Sequence, residues 1–344
     1  MNKVVTTMLG PLEARERDVL VGRYGLMGTP MATLAEIGNR YGITRERVRQ
    51  IEALALTTTR KRLSDPQTKA FVQTAIAELK RMGGVSRDDL LMHALAKKLM
   101  GNESEAHFAS AARFLMELSG KISFRREDLT TYPYWYLTDE DEKRAHTLVT
   151  KLAATVKAKR EEILSNGKGV GHYLAELSKG MKLLPAVGEQ YVAISKKFMT
   201  SPFGTFGLAD WSEVNPKTAR DWAYIIAKKE QKPLHFTELV ARINEHRTHK
   251  ITNVQTVHNE LIKDDRFVLV GRGIYGLREF GLLPGTAKEV LAHFIKRHGP
   301  LPSKELMKLV LQERFFKEGT LLINLQNKEY FKRLADGRYA LKEA

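Results

Sequence analysis

Between positions 44 and 50 the chain reads T-R-E-R-V-R-Q, a set of side chains suited to hydrogen bonding with base edges. Arginine can give two donors to guanine, glutamine can pair bidentately with adenine, and glutamate can accept from cytosine. If the stretch is a helix advancing about 100° per residue, Val48, Ile51 and Ala55 fall on one narrow arc. Arg45, Glu46, Arg49 and Gln50 then share a separate arc of roughly 140° near the N-terminal end. That is the end by which a helix enters a major groove. The plainer reading of such a helix is a solvated amphipathic surface with charge pairs one turn apart.

The residues before it decide between the two. Thr33 followed three positions later by Glu36 is a capping box, so a helix should start there. Leu34, Ile37 and Tyr41 repeat at helical spacing after it. Gly42 supplies a tight turn, Ile43 plugs the space beneath it, and Thr44 caps the next helix. A short capped helix, a glycine turn and a second capped helix with readout side chains make a helix-turn-helix, with the helix at 44–56 as its reading element.

The stretch 12–63 also resembles region four of the primary sigma-factor family, the part of bacterial sigma factors that reads the promoter −35 element. The resemblance rests on L-E-A-R-E-R-D-V-L-x-x-R-Y-G at 12–25, T-L-A-E-I-G at 33–38 and T-R-E-R-V-R-Q-I-E at 44–52. It implies base contacts by Arg45, Glu46 and Gln50, and phosphate contacts by neighbours such as Arg47 and Arg49, with Thr44 at the cap. It further implies that the helix at 13–24 helps to dock on the flap of the RNA polymerase core. Leu54 and Thr57 depart from the family, standing where it usually has basic residues that meet activators. No aromatic-rich segment suited to melting DNA precedes the motif, so the expectation is a −35-type reader that is not a complete sigma factor.

Composition agrees. The 344 residues carry 56 Lys and Arg against 40 Asp and Glu, a net charge of +16. An excess of that size favours polyanionic partners, double-stranded DNA first among them. No apolar run is long enough to span a membrane, and the N-terminus lacks the apolar core of a signal peptide. The absence of cysteine excludes disulfides and thiolate zinc sites. The expected location is the cytoplasm, on the nucleoid.

The remaining sequence suggests further winged helices, taking the domains as 1–69, 70–138, 139–202, 203–281 and 282–344. In 70–138, Phe71, Ile76 and Leu79 mark a helix that breaks at Gly83-Gly84. Ser86 should cap a second helix, 108–119 forms a third, and 131–138 reads as a strand. Tyr132, Tyr134, Trp135 and Tyr136 in that strand could stack on bases, but closing a small core is the more economical role. The charged pattern at 139–164 reads as a spacer helix inside a helical linker, broken by Asn166, Gly167, Lys168 and Gly169.

The segment 203–281 resembles the HARE winged-helix family, also found in the delta subunit of bacterial RNA polymerase. The resemblance rests on P-L-H-F at 233–236, T-V-H-N-E-L-I at 256–262 and G-R-G-x-Y-G-L at 271–277, with Trp211 and Trp222 as expected core anchors. Thr256, Val257, Leu261 and Ile262 should lie on one helix. Arg272 should sit at the tip of a β-hairpin, and His258, Asn259, Lys263 and Arg272 could touch either DNA or protein. The last segment repeats the pattern, with helices at 286–299, 303–314 and 320–326 and an Asp336-Gly337 hairpin turn. Lys332, Arg333 and Arg338 could line a phosphate backbone there or form a solvated wing.

Enzyme signatures are missing. Gly271-x-Gly273-x-x-Gly276 matches a dinucleotide fingerprint by letters, but the residues after it continue as strand rather than opening a helix. His246 and His249 have no carboxylate or Cys to complete a metal set. The fold expected is mainly α with small β-hairpin wings, in tandem helix-turn-helix and winged-helix domains, with no cofactor. The function expected is sequence-specific DNA binding in bacterial transcription initiation or regulation. A polymerase accessory protein that acts by docking, or a nucleoid or restriction-linked DNA-binding protein, is the alternative.

Overall fold

The computed structural model describes residues 1–165, 167–247, 251–282, 285–313 and 316–342. Asn166 and His249, singled out above, lie outside them. The chain is mainly helical with small antiparallel sheets and divides into two compact units, 1–200 with 204–209, and 201–203 with 210–344.

The first unit opens with helices α1 (Asn2–Leu9), α2 (Ala14–Tyr24), α3 (Leu34–Tyr41) and α4 (Arg45–Arg60). A winged helix follows: α5 (Pro66–Arg81), β1 (Val85–Arg87), α6 (Asp88–Leu99), α7 (Glu105–Ser119), β2 (Ser123–Arg125) and β3 (Tyr134–Tyr136). Then come α8 (Asp139–Ala158), α9 (Arg160–Leu164), α10 (Val170–Gly180), α11 (Pro185–Ala193) and a hairpin of β4 (Phe198–Thr200) and β5 (Phe206–Leu208).

One core runs from the helix-turn-helix into the winged helix. Val5, Met8, Leu9, Leu20 and Leu26 pack in the same buried cluster as Leu79, Leu91, Phe114 and Leu115. The centre of that cluster is α7, which buries Phe108, Ala111, Ala112, Phe114, Leu115 and Met116 and touches α1, α2 and α4 as well as α5 and α6. A third helix buried on this many sides leaves little surface for reading DNA. Tyr24 meets Phe114 edge-on at 5.0 Å between ring centres, and burial raises its phenol pKa well above the ordinary tyrosine range.

The sheet of the winged helix has the order β1-β3-β2. Ser86 is not the cap expected of it, because Gly83 and Gly84 turn the chain directly into β1, where Ser86 pairs with Trp135. The helix starts instead at Asp88, with Arg87 in the cap position and no side-chain cap bond. Asp88 accepts from Trp135 Nε1 at 2.7 Å and from Arg113 Nη2 at 2.7 Å, which locks sheet to helices. Tyr134, Trp135 and Tyr136 are all buried, so the aromatic strand closes the core and is not a stacking platform.

The segment expected to be a spacer also differs from expectation. Helix α8 buries Ala145, Leu148, Val149, Leu152 and Val156, spaced by three and four residues, against α10 and α11. Its charges occupy only the other face, which made the sequence look solvated all round. Tyr191 of α11, fully buried, donates to the Gly83 carbonyl at 2.6 Å and ties this block to the winged helix.

The second unit contains two winged helices. The first comprises α12 (Ala219–Glu230), β6 (Leu234–His235), α13 (Phe236–His246), α14 (Val254–Lys263), β7 (Phe267–Gly271) and β8 (Ile274–Leu277), with sheet order β6-β8-β7. Trp222, Leu239, Ile243, Val257, Leu261 and Tyr275 fill its core, and Trp211 is buried as well. Ile262 is 63% exposed and stands outside that core. Tyr275 to Leu277 form strand β8, so the glycines beside them make a hairpin and not a nucleotide loop. The second winged helix comprises α15 (Ala287–His298), β9 (Leu301–Pro302), α16 (Ser303–Glu313), α17 (Glu318–Leu325), β10 (Phe331–Arg333) and β11 (Arg338–Leu341), in the order β10-β11-β9. Its core is Val290, Leu291, Phe294, Leu306, Val310, Leu321 and Phe331.

Candidate nucleic-acid interface

The helix-turn-helix is assembled by local chemistry at each junction. Thr33 Oγ1 accepts from Glu36 N at 3.2 Å while the Glu36 carboxylate accepts from Thr33 N at 2.6 Å, the reciprocal capping box that starts α3. These bonds to Thr33 hold the Glu36 carboxyl below the usual carboxylate range. Gly42 then adopts φ +62°, a left-handed conformation that costs glycine little and other residues more. A second glycine, not singled out in the sequence, matters as much. A Cβ on Gly38 would lie 2.6 Å from the carbonyl oxygen of Ile43, so only glycine lets the turn close onto α3. Thr44 caps α4 by accepting from Arg47 N at 3.2 Å.

With the helix so placed, Val48 and Ala55 are fully buried, Val48 joining Val19, Ala32 and Ile37 in a small core of the motif. Thr44, Arg45, Glu46, Arg47, Arg49 and Gln50 are all exposed on the N-terminal turns of α4. The arc read from the sequence is therefore a continuous polar face in three dimensions. Arg23 of α2, which the sequence did not flag, fixes the motif from behind. It donates to the Ala32 carbonyl at 2.8 Å and pairs with Glu52 of α4 at 3.3 Å.

The exposed face carries its own pairings. Arg49 grips Glu46 through two bonds of 2.9 and 2.7 Å, and Arg47 donates to Gln50 Oε1 at 3.0 Å. The Arg49 guanidinium holds the Glu46 carboxyl below its ordinary range, so Glu46 is an acceptor at neutral pH. Exposed pairs of this kind contribute little stability and exchange partners easily. The face thus presents guanidinium donors, one carboxylate and one amide, all available to a groove.

Arg272 lies in the second unit, exposed at the tip of the β7–β8 hairpin, as the sequence suggested. His258 of α14 packs 4.7 Å from the Phe236 ring, and Asn259 accepts from Gln255 at 3.0 Å. Among the described residues no group of three His, Asp or Glu side chains could hold a metal ion, and no helix is long and apolar enough to cross a membrane.

These features define a helix-turn-helix DNA-binding domain. More narrowly, residues 8–61 match the family Sigma-70, region 4, and form a domain of that kind, a DNA-binding helix-turn-helix of transcription initiation. Over 69 residues the chain is 57% identical to "RNA polymerase sigma factor SigA1" of Synechococcus elongatus, a stretch that is 20% of this chain and 16% of that protein. It is 47% identical over 66 residues to "RNA polymerase sigma factor SigA" of Nostoc sp., which is 19% of this chain and 17% of that protein. A third similar protein, "RNA polymerase sigma factor SigA" of Synechocystis sp., is 57% identical over 69 residues, 20% of this chain and 15% of the relative. The chain thus spans only about a sixth of the length of the curated relatives it matches.

Proposed function

We propose that this protein is a sequence-specific DNA-binding protein of bacterial transcription initiation or regulation, working on the nucleoid in the cytoplasm. It reads a −35-like element with α4. The observation that carries this reading is the exposed set Arg45, Glu46 and Gln50 on the first turns of a capped helix within the region 4 segment. Arg45 donates to guanine, Gln50 pairs with adenine and Glu46 accepts from cytosine. Arg47 and Arg49 reach phosphates, which position the helix without choosing sequence. A winged helix packed against the motif supports a reader that places other parts of the chain at promoters.

Docking on RNA polymerase core through α2 belongs to the same proposal. Because α2 spends Val19, Leu20 and Gly22 on internal packing, docking relies on its charged outer side, with Glu13, Arg15, Arg17 and Asp18 exposed. We assign the winged helix at 203–281 to the HARE type on its sequence pattern, with Arg272 as a DNA contact. The test is binding of the full chain to −35-containing and scrambled duplexes at physiological salt. Preference for the −35 duplex supports sequence reading, and equal affinity sinks it in favour of a general nucleoid binder. Retention of polymerase core or of its isolated flap on the immobilised protein tests docking, and absence of retention from both counts against it.

A further inference from the structure

We infer that the last winged helix holds a second nucleic-acid site, a basic cleft that grips the sugar–phosphate backbone of duplex DNA without reading its sequence. The cleft, about 730 Å³, opens beside edge strand β10 and the end of α17, and Lys328, Lys332, Arg333 and Lys342 all line it. No carboxylate is among its lining residues. All four cations are exposed, and among the described residues none has an ion pair. The contrast with Arg338 is direct: at the turn of the same hairpin, its guanidinium is neutralised by Asp336 at 2.6 Å. Of the three wing cations expected from the sequence, Arg338 is not among the residues lining the cleft, whereas Lys332 and Arg333 line it together with Lys328 and Lys342.

Among the described residues no carboxylate lines this cleft, so its like charges repel each other, and a polyanion relieves that repulsion while releasing its own counterions. Lysines on an edge strand also discourage strand pairing, but Lys328 and Lys342 lie off the strand, so that role does not account for the set. Sequence neutrality follows from α17, the third helix of this winged helix. Its outward residues are Glu318, Gly319, Thr320, Leu322 and Ile323, and Asn324 spends its amide on the Thr320 carbonyl at 2.8 Å. Within its span this helix has no arginine, lysine or glutamine to pair bidentately with a purine. The choice of DNA over RNA rests on the function proposed above; the cleft itself does not depend on it.

The test compares the full-length wild type, K328A/K332A/R333A/K342A and, as a milder variant, K332A/R333A. Binding is titrated against a −35-containing duplex, a scrambled duplex and an RNA duplex of equal length, over a range of salt concentrations. The quadruple variant should bind both DNA duplexes more weakly by on the order of a hundredfold, with their ratio unchanged. Its salt slope should fall by roughly three to four units, and by about half as much in the double variant. Unchanged affinity and slope would overturn the inference, as would a loss confined to the −35 duplex, tighter wild-type binding to RNA than to DNA, or full displacement by inorganic phosphate at matched ionic strength. Failure of sequence reading is distinguishable: it removes the ratio between the two DNA duplexes in the wild type and leaves the slope change intact.

Discussion

At the scale of single residues, the exposed face of α4 has two kinds of arginine. Arg45 is exposed at the first turn with no hydrogen-bond or ion-pair partner among the described residues, whereas Arg47 is bonded to Gln50 and Arg49 to Glu46. Replacing Arg45 with Ala should cost about 1–3 kcal/mol on a −35 duplex and relax specificity at one base pair, measured by competition among single-base variants of the site. Replacing Arg47 with Ala should weaken binding to all duplexes alike and lower the salt slope by about one unit. Specificity lost with Arg47 would instead make its bond to Gln50 part of the readout. The exposure of these side chains on one face was legible in the sequence because helical spacing separates them from Val48 and Ala55. Arg23 was not, since its partners Ala32 and Glu52 become neighbours only when the motif folds.

At the scale of elements, what the sequence disclosed followed the length of the repeating pattern. The capped helices α3 and α4 begin at the Thr that the capping-box and N-cap patterns indicated, and α15 lies within the span 286–299 read for it. The strands β1, β6 and β9 span only two or three residues, too short to show an alternation, and each was missed. The assignment of Ser86 as a cap failed for that reason, as strand pairing claimed it first. The turn between α3 and α4 gives a sharp test. Gly38→Ala forces a Cβ against the Ile43 carbonyl and should destabilise the first unit by about 1–3 kcal/mol, read from denaturant midpoints. A neutral outcome would mean that the turn shifts freely. The loop before β3 carries a pH dependence. Asp128 accepts from the backbone of Thr130 and Thr131 at 2.6 and 2.7 Å, which lowers its pKa from 3.8 to about 2. Because the folded value lies below the unfolded one, its stabilisation is complete above pH 4 and is lost as pH falls through about 2. The melting-temperature difference between wild type and Asp128→Ala should therefore shrink as pH drops from 5 to 2, and a constant difference contradicts the assignment.

At the scale of the whole molecule, the region 4 segment is not a bead on a string. Its apolar residues continue into the core centred on α7, and the supposed linker is folded onto the same unit. This was hidden from the sequence, because local periodicity tells which face is apolar and not what covers it. Phe114→Ala should cost about 3–5 kcal/mol and loosen α4 amides together with those of α5 and α7 in hydrogen exchange. If α4 protection stays intact, the shared core does not act as one cooperative unit. On the proposed function, α4 reads DNA sequence from within this unit. The most direct test is equilibrium binding of wild type and Arg45→Ala to a −35-containing and a scrambled duplex at matched physiological salt. The wild type should prefer the −35 duplex, and Arg45→Ala should lose about 1–3 kcal/mol of that preference while keeping its affinity for the scrambled one. Equal wild-type affinity for both duplexes would contradict the account.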